Sequence, residues 1–371
     1  MIHKSNKYIK LGCLLAALIW AVGCDSRTHD ERRATKELVG KALFFDTRLS
    51  TPGGQSCASC HNPVAAFADP GRAVSPGAIP GIEGRRSTPS LLYMGFSPEL
   101  HYDAADETFV GGQFWDGRAS TFAEQAKFPL LSAREMNNAS KEEVVSKVAR
   151  SAVAADFEFV FGSEIFSNTD SAFDAIAEAI ASFEMSDTFA PFSSKYDLFL
   201  DGKEQLSDQE LRGLAVFNSE TKGNCAACHP SAPSGSSPPL FTDFTYDNLG
   251  VPRNRANPFY RQPASNNPDG NAFVDLGLAL TTGRAVDSGR MKVPTLRNIA
   301  ITAPYFHNGV FNTLREVVEF YNSRDVENFD PPEVAQSVNH DELGNLHLSE
   351  DEIVDLVAFL NTLTDGFKAE K

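Results

Sequence analysis

The sequence predicts an all-helical (all-α) chain built from two similar halves. Four segments open with a capping box, in which Ser or Thr is followed three residues later by Glu, and no segment shows sustained alternation of apolar and polar residues. A C-x-x-C-H motif begins at residue 57 and another at residue 225. With 371 residues, 42% of them hydrophobic and 22% charged, the composition is that of a globular protein and excludes a disordered or multi-span membrane chain.

The first 23 residues have the pattern of an export signal. Three lysines lie within the first ten residues, and the apolar stretch 11–22 is too short for a comfortable membrane span. The run AVGC at 21–24 resembles a bacterial lipobox, so we expect cleavage before Cys24 and a lipid anchor on that cysteine. The protein would then be a periplasmic lipoprotein of a Gram-negative-type bacterium, with residues 24–34 as a tether. An ordinary cleaved signal is the alternative.

The mature chain is strongly acidic. Removal of residues 1–23 leaves 348 residues and, because three lysines and no acidic residue are lost, changes the formal charge from −16 to −19. Such a surface repels nucleic acid and anionic lipid, and it favours encounter with a basic protein. The length predicts about two domains, which we place at 35–200 and 201–371.

The predicted helices follow the capping boxes along the chain. Behind the last box, apolar residues recur at i, i+3, i+4 and i+7 and so form one face of a helix. A further helix is predicted over 173–183, and the Pro-, Ser-, Asn- and Gly-rich stretch 230–271 is predicted to be a long loop. The four boxes are Ser140 with Glu143, Ser207 with Glu210, Thr313 with Glu316, and Ser349 with Glu352.

The two C-x-x-C-H motifs are typical of covalent c-type haem attachment. Two thiols three positions apart can each bond one vinyl group of a porphyrin, and the next histidine is held under the ring as an iron ligand. Zinc sites usually bring the second cysteine pair within about 15–20 residues. Here the pairs lie 168 positions apart, and neither has the thioredoxin-like context of a redox disulfide. Two covalent haems are therefore predicted, on Cys57, Cys60 and His61, and on Cys225, Cys228 and His229.

These residues resemble the bacterial di-haem cytochrome c peroxidases and their MauG-like relatives. The resemblance rests on both motifs together with GKALFFDTRLS at 40–50, WDGR at 115–118 and KVPTLRNIAITAPYFHNG at 292–309, and it covers nearly all of the mature chain. It implies two cytochrome c-like haem domains packed with the haems flanking the interface. The N-terminal domain would be peroxidatic, and the C-terminal domain would relay electrons.

The resemblance assigns roles around the first haem. Trp115 would lie between the haems and relay electrons or holes, while Gln125, Pro129 and Glu135 would form a peroxide pocket. Glu135 is the predicted acid-base group, because breaking the O–O bond requires a proton near the distal oxygen, and Gln125 would hold peroxide or water. From the residues alone, a packed tryptophan and a solvated helix face are the ordinary interpretations.

The first iron is predicted to be five-coordinate. Many relatives carry a histidine soon after the first motif that blocks the iron until it is reduced, but no histidine lies between His61 and His101 here. Peroxide would then reach the site even when both irons are ferric. His101 is the alternative blocking ligand, although a lone histidine is more often a surface residue.

Three residues are candidates for the second iron, opposite His229. Met291 would supply a thioether 62 positions downstream, Tyr321 ends an apolar helical stripe, and His307 is the third. The resemblance favours Tyr321, because the family ligand lies fourteen residues after the histidine of the YFHNG motif, as methionine in the peroxidases and tyrosine in the MauG-like branch. A phenolate stabilises ferric and higher oxidation states, whereas a thioether favours ferrous iron.

A calcium ion between the haems is a further implication of the resemblance. Backbone oxygens of Thr302 and Pro304 match its ligands, whereas Ser87 stands where the family has asparagine. Water can complete a flexible oxygen shell around calcium.

Three functions are compatible with these features. The first is a peroxidase that reduces hydrogen peroxide at the N-terminal haem, with electrons from a periplasmic donor protein relayed through Trp115 and the second haem. The second is MauG-like oxidative modification of a partner protein, which Tyr321 favours. The third is a passive di-haem electron carrier, which the Gln125 and Glu135 pocket argues against. Peroxide reduction is placed first because peroxide turnover is common to the first two.

Overall fold

The computed structural model describes residues 29–235 and 237–368, so the expected export signal and the lipid site at Cys24 lie outside the described residues. Six helices form the N-terminal half within those ranges. They are α1 (His29–Phe44), α2 (Cys57–Cys60), α3 (Phe122–Leu131), α4 (Lys141–Ala149), α5 (Ala154–Phe161) and α6 (Thr169–Glu184).

The C-terminal half is also helical. Its described residues form α7 (Lys195–Leu200), α8 (Asp208–Asn218), α9 (Ala279–Thr282), α10 (Leu314–Ser323) and α11 (Glu350–Asn361). Two short antiparallel pairs are the sheets of the described chain: β1 (His101–Asp103) with β2 (Thr108–Val110), and β3 (Tyr246–Asp247) with β4 (Met291–Lys292). The predicted all-helical class is confirmed. None of the described helices is long and apolar enough to span a bilayer.

The core of the N-terminal half forms where α6 crosses α1. Gly40 of α1 touches the backbone of α6, since a Cβ there would come within 1.8 Å of the Ala179 carbonyl oxygen. This close approach lets Phe44, Phe173 and Phe183 pack in a core closed to solvent. Helices α3 and α4 also pack against α6, which makes α6 the central element of this half.

The C-terminal half has the same kind of close contact through a glycine, a glycine joint, between α8 and α11. A Cβ at Gly213 of α8 would lie 2.0 Å from the Asp355 carbonyl oxygen of α11. Phe359 is fully buried beside the contact. Tyr196 of α7 packs into the same core, although α7 precedes the predicted domain boundary at residue 201.

Three of the four predicted capping boxes form as expected. In these helices, α8, α10 and α11, the Ser or Thr side chain and the Glu carboxylate each accept the backbone N–H of the other. In α4 the Ser140 side chain accepts from the Glu143 N–H, but the Glu143 carboxylate accepts from the Ala139 N–H at 2.8 Å and from the Thr51 hydroxyl. The fourth box is therefore half formed, because Glu143 ties the loop at Thr51 to α4.

Two further predictions are confirmed. The helix predicted over 173–183 lies within α6. The described part of the predicted loop 230–271 is irregular apart from β3 and two short 3₁₀ turns. This loop packs against the seam between the halves, where Asn257 donates to the Arg85 carbonyl at 3.1 Å.

Buried ion pairs join the two halves at this seam. Arg86 donates to both carboxylate oxygens of Asp275, at 2.7 and 2.6 Å, and its Nη1 lies 2.8 Å from an oxygen of Asp116. Each of these side chains is less than a tenth exposed. Tyr93 also donates to Asp365 across the halves at 2.8 Å. A bidentate pair between an arginine and a carboxylate fixes orientation as well as distance. The pair of Arg86 with Asp275 therefore holds the two halves in one arrangement.

We expect Gly213→Ala to destabilise the C-terminal half. The added methyl group has no room beside the α11 backbone, so α8 and α11 must separate, at a cost of about 1–3 kcal/mol. Thermal unfolding should show a lower Tm. Ala215→Leu, which enlarges an exposed position of the same helix, should leave the Tm unchanged. Equal Tm values for Gly213→Ala and the unmodified protein would contradict the close helix contact.

Candidate haem-binding active site

A cavity of about 1280 Å³ lies between the halves and is lined by both C-x-x-C-H motifs. Pockets for single small ligands occupy roughly 300–1,000 Å³, so this space exceeds what one such ligand needs. All six predicted attachment residues lie in its wall: Cys57, Cys60, His61, Cys225, Cys228 and His229.

The first motif occupies the helical turn α2 and the residue after it. The turn is closed by the Ser59 hydroxyl, which accepts from the Ser56 N–H at 3.0 Å. His61 Nδ1 lies 2.9 Å from the Phe67 carbonyl oxygen. Since a carbonyl only accepts, Nδ1 carries the proton and Nε2 keeps the lone pair that a metal requires. Burial lowers the pKa of His61, which favours this neutral form.

The second motif has the same arrangement, although its cysteines begin a 3₁₀ turn, Cys225–Ala227. His229 Nδ1 lies 2.8 Å from the Phe241 carbonyl oxygen, so Nε2 again keeps the lone pair. Burial lowers the pKa of His229 to about 4. A carbonyl at the far ring nitrogen is the usual support of a metal-bound imidazole, and both motifs therefore fit c-type haem.

No disulfide joins the four cysteines of the two motifs to one another. Burial raises the pKa of Cys60 to about 11 and the pKa values of Cys225 and Cys228 to about 12. Across residues 29–235 and 237–368, no three His, Cys, Asp or Glu side chains are grouped to hold a metal ion. The described cysteines are therefore part of neither a disulfide nor a clustered group of metal-ligating side chains.

Two residues predicted for the peroxide pocket share a face of α3. Gln125 and Pro129 are one turn apart, and both line the cavity. Pro129 has no N–H, which leaves the Gln125 carbonyl without its i+4 donor. The Gln125 carbonyl oxygen is therefore a hydrogen-bond acceptor without its usual helical donor, and it lies next to the side-chain amide of the same residue.

Glu135 lies shortly after α3 and lines the same cavity. Burial raises the pKa of this carboxyl, while a hydrogen bond with Ser132 and the guanidinium groups of Arg118, Arg134 and Arg85 act in the opposite direction. The net direction is upward, so the proton is held to a higher pH than on an ordinary glutamate.

Trp115 is hydrogen-bonded to both halves. Its indole N–H donates to the Ser87 carbonyl at 2.9 Å, and its own carbonyl accepts from the Lys292 N–H at 2.8 Å. The indole meets the ring of His307 edge to face, with ring centroids 6.5 Å apart. Trp115 therefore lines the cavity at the seam between the halves.

The three candidates for the second iron all line the cavity. Tyr321 lies on α10, and burial raises the pKa of its phenol, with the sulfurs of Cys225 and Cys228 acting in the same direction. His307 lies instead among the charged groups of the seam. Met291 belongs to β4. The helix of Tyr321 packs beside the second motif, since Cys225 contacts the apolar cluster that holds Leu314 and Val318 of α10.

The remaining predicted residues divide into two cases. His101 is exposed on β1, bonds through Nδ1 to the Glu99 carbonyl at 2.9 Å and is not part of the cavity wall, so it is not placed to block the first iron. Ser87, Thr302 and Pro304 all line the cavity. The calcium site that the last two would form stays a prediction.

Sequence reasoning missed the charged part of the cavity wall. Arg86, Asp275 and Asp116 line the cavity as well as joining the halves. Lys292 is buried there, donates to the Gly112 carbonyl at 2.6 Å, and has a pKa that burial lowers to about 7. Arg86 and Asp275 are 189 positions apart, so no local pattern pairs them. In the sequence, the signal for this charged cluster was limited to Asp116 and Arg118 of the WDGR run.

The helical halves and the two cysteine-histidine motifs on one cavity define a di-haem c-type protein. Comparisons with known proteins identify the family. A profile described as di-haem cytochrome c peroxidase matches residues 34–205. The methylamine utilization protein MauG of Paracoccus denitrificans is 39% identical, over 96% of each chain. Cytochrome c551 peroxidase of Nitrosomonas europaea is 32% identical, over 88% of this chain and 79% of that protein.

A solved structure agrees with both sequence relatives. The diheme peroxidase BthA of Burkholderia thailandensis superimposes with a TM-score of 0.79 at 38% identity, covering 90% of this chain and 86% of that one. The chain therefore belongs to the di-haem cytochrome c peroxidase family, which includes MauG, and it is a peroxidase-type oxidoreductase. The family implies two c-type haems.

Proposed function

We propose that this protein reduces hydrogen peroxide in the N-terminal part of the cavity and exchanges electrons with the C-terminal part through Trp115. The observation that carries the proposal is that Gln125, Pro129 and Glu135 line the same cavity as both C-x-x-C-H motifs. The hydrogen bonds of Trp115 to both halves support its role as the relay.

Two haems, held by the motif cysteines with His61 and His229 as iron ligands, would supply the electrons that peroxide accepts. The Glu135 carboxylate takes the proton from one peroxide oxygen and returns it to the other, which then leaves as water. The Gln125 amide holds peroxide in place by hydrogen bonding. Because the pKa of Glu135 is raised, this carboxyl binds the transferred proton more readily than an exposed glutamate would.

We expect Glu135→Gln to slow the reaction with peroxide by a factor of about 10²–10⁴. Glu135 must be deprotonated to accept the first proton, so the wild-type rate should rise with pH through a range above that of ordinary glutamates, and the variant should lack this rise. Stopped-flow mixing of peroxide with the ferric holoprotein measures both effects. Glu142→Gln, an exposed change on α4, should behave as wild type. An unchanged rate in Glu135→Gln would remove this residue from the mechanism.

Trp115→Phe should slow the oxidation of an external electron donor while leaving the initial peroxide reaction intact. Phenylalanine keeps an aromatic ring at the seam, but it is much harder to oxidise and loses the hydrogen bond to Ser87. Steady-state donor oxidation and single-turnover peroxide mixing, compared in one preparation, separate the two steps. Equal losses in both would indicate a structural role for the tryptophan.

A second function, peroxide-driven oxidation of a partner protein, is favoured by Tyr321. This phenol lines the cavity from α10, whose Leu314 and Val318 belong to the apolar cluster that Cys225 of the second motif contacts. As an iron ligand, a phenolate stabilises ferric and higher oxidation states, which suits storage of oxidising equivalents for a slow protein substrate. In this function Tyr321 holds the second site oxidised, and Trp115 shares the oxidation between the two halves.

Tyr321→Phe tests this second function. We expect the spectrum of the second haem to change because its sixth ligand is lost, and the long-lived oxidised state formed by peroxide in the ferric protein to disappear. Optical and EPR spectra before and after peroxide addition measure both. Tyr305→Phe removes another phenol of the cavity and should leave both unchanged. If the wild-type protein reacts with peroxide only after reduction, the donor-dependent peroxidase is the correct function.

We also propose a periplasmic location, in keeping with the family and the expected export signal, with a lipid anchor at Cys24. The donor or substrate protein would be basic, because the mature chain is strongly acidic. Calcium would be held by the backbone oxygens of Thr302 and Pro304, with water in place of an asparagine ligand near Ser87.

A further inference from the structure

One face of α6 carries a carboxyl group inside the cavity. Phe173, Ile180 and Glu184 follow one another on this face at i, i+7 and i+11, and all three line the cavity. The first two are apolar, as a core-facing stripe requires. Glu184 is 4% exposed, and its Oε2 atom is fully buried without a hydrogen-bond partner among the described residues.

The surroundings of Glu184 favour the neutral carboxylic acid. An unpartnered charge buried away from water is strongly disfavoured, and burial alone raises the pKa of Glu184, to about 8. At Glu135, by contrast, three guanidinium groups oppose the effect of burial. Glu184 therefore keeps its proton at neutral pH, where an ordinary glutamate has lost it.

Glu184 lies on the side of the cavity that holds the first motif. Cys57 packs against the buried cluster that includes Ile180 and Phe183 of α6, and Cys57, Glu184 and Glu135 all line the cavity. The two carboxyls come from different elements, since Glu184 ends α6 and Glu135 follows α3. The contact between α3 and α6 brings the two acids to one end of the cavity.

We propose that Glu184 is a second proton-holding group for the reaction with peroxide, working beside Glu135. This inference rests on the proposed function. Reduction of one hydrogen peroxide breaks the O–O bond and consumes two electrons from the donor protein and two protons, giving two water molecules. Glu135 returns the proton that it takes from peroxide, so it adds no net proton.

Glu184 supplies one of the two protons that the reaction consumes. Its carboxylic acid gives this proton to the second product water, whose other proton comes from the solvent together with the two electrons from the donor protein. The carboxylate left behind is disfavoured in its buried site, so it takes up a proton from the bulk solvent. Glu184 is thereby returned to its acid form for the next turnover.

The test uses the holoprotein with Glu184→Gln and, as a matched control, Glu178→Gln, which changes an exposed glutamate of the same helix. Infrared spectra at neutral pH should show the carbonyl band of a buried protonated carboxyl, absent in Glu184→Gln and present in the control. Turnover of Glu184→Gln should fall about 10²-fold in kcat with KM unchanged. The wild-type kcat should fall as pH rises through about 8, and the variant should lack this fall.

Each outcome decides a separate point. A band that persists in Glu184→Gln, or a variant with the kcat and pH profile of wild type, overturns the inference and leaves the proposed function intact. A wild-type protein that shows the band but consumes no peroxide refutes the proposed function and, with it, this role of Glu184. If haem content or Tm shows that Glu184→Gln has not folded, Glu184→Asp, which keeps the acid, should retain the band and most of the turnover. Loss of both in a folded Glu184→Asp protein would also overturn the inference.

Discussion

The buried pairing of Arg86 with Asp275 and Asp116 is the constraint on which the rest of the site depends. The cavity has walls from both halves, so it exists only while the halves stay docked, and no disulfide joins the described residues. Removing one partner of such a buried pair costs about 3–5 kcal/mol. The pairing thus fixes the relation between the two motifs and holds the seam at which Trp115 is bonded to both sides.

The groups that line the cavity form two sets, one suited to carrying protons and one suited to electron transfer. Acids with raised pKa values, Glu135 and Glu184, lie toward the first motif, where the proposed reaction with peroxide consumes protons. Tyr321 lies toward the second motif, where our proposal gives it the role of an iron ligand opposite His229. At the seam, Arg86 forms ion pairs with Asp275 and Asp116. In the proposed function, proton chemistry and electron storage are therefore separated in space within one cavity.

Local signals predicted most of the fold and the first layer of the site. Capping boxes and apolar spacing depend on neighbours three or four residues apart, and the cysteine motifs depend on still shorter spacing, so each could be recognised in the chain itself. The pairing of Arg86 with Asp275 could not, because it depends on how two distant loops pack. Glu184 ends an apolar helical stripe and resembles an exposed helix terminus until α3 is packed against it. Glu143 does not complete its predicted capping box for the same reason, since its carboxylate accepts a hydrogen bond from Thr51, a residue distant in the sequence.

The two glycine joints, Gly40 on α1 and Gly213 on α8, bear on how such a chain can evolve. At each joint, the helix that precedes a motif packs closely against the last helix of its half. The two halves therefore share one packing arrangement. Tyr321 stands on α10, outside the α8–α11 joint. In the proposed function, a substitution at that position changes the ligand of the second iron while the helix contacts of the C-terminal half stay intact. On that proposal, one helical framework serves both enzymes that reduce peroxide directly with donor electrons and enzymes that retain the oxidising equivalents for a slower substrate.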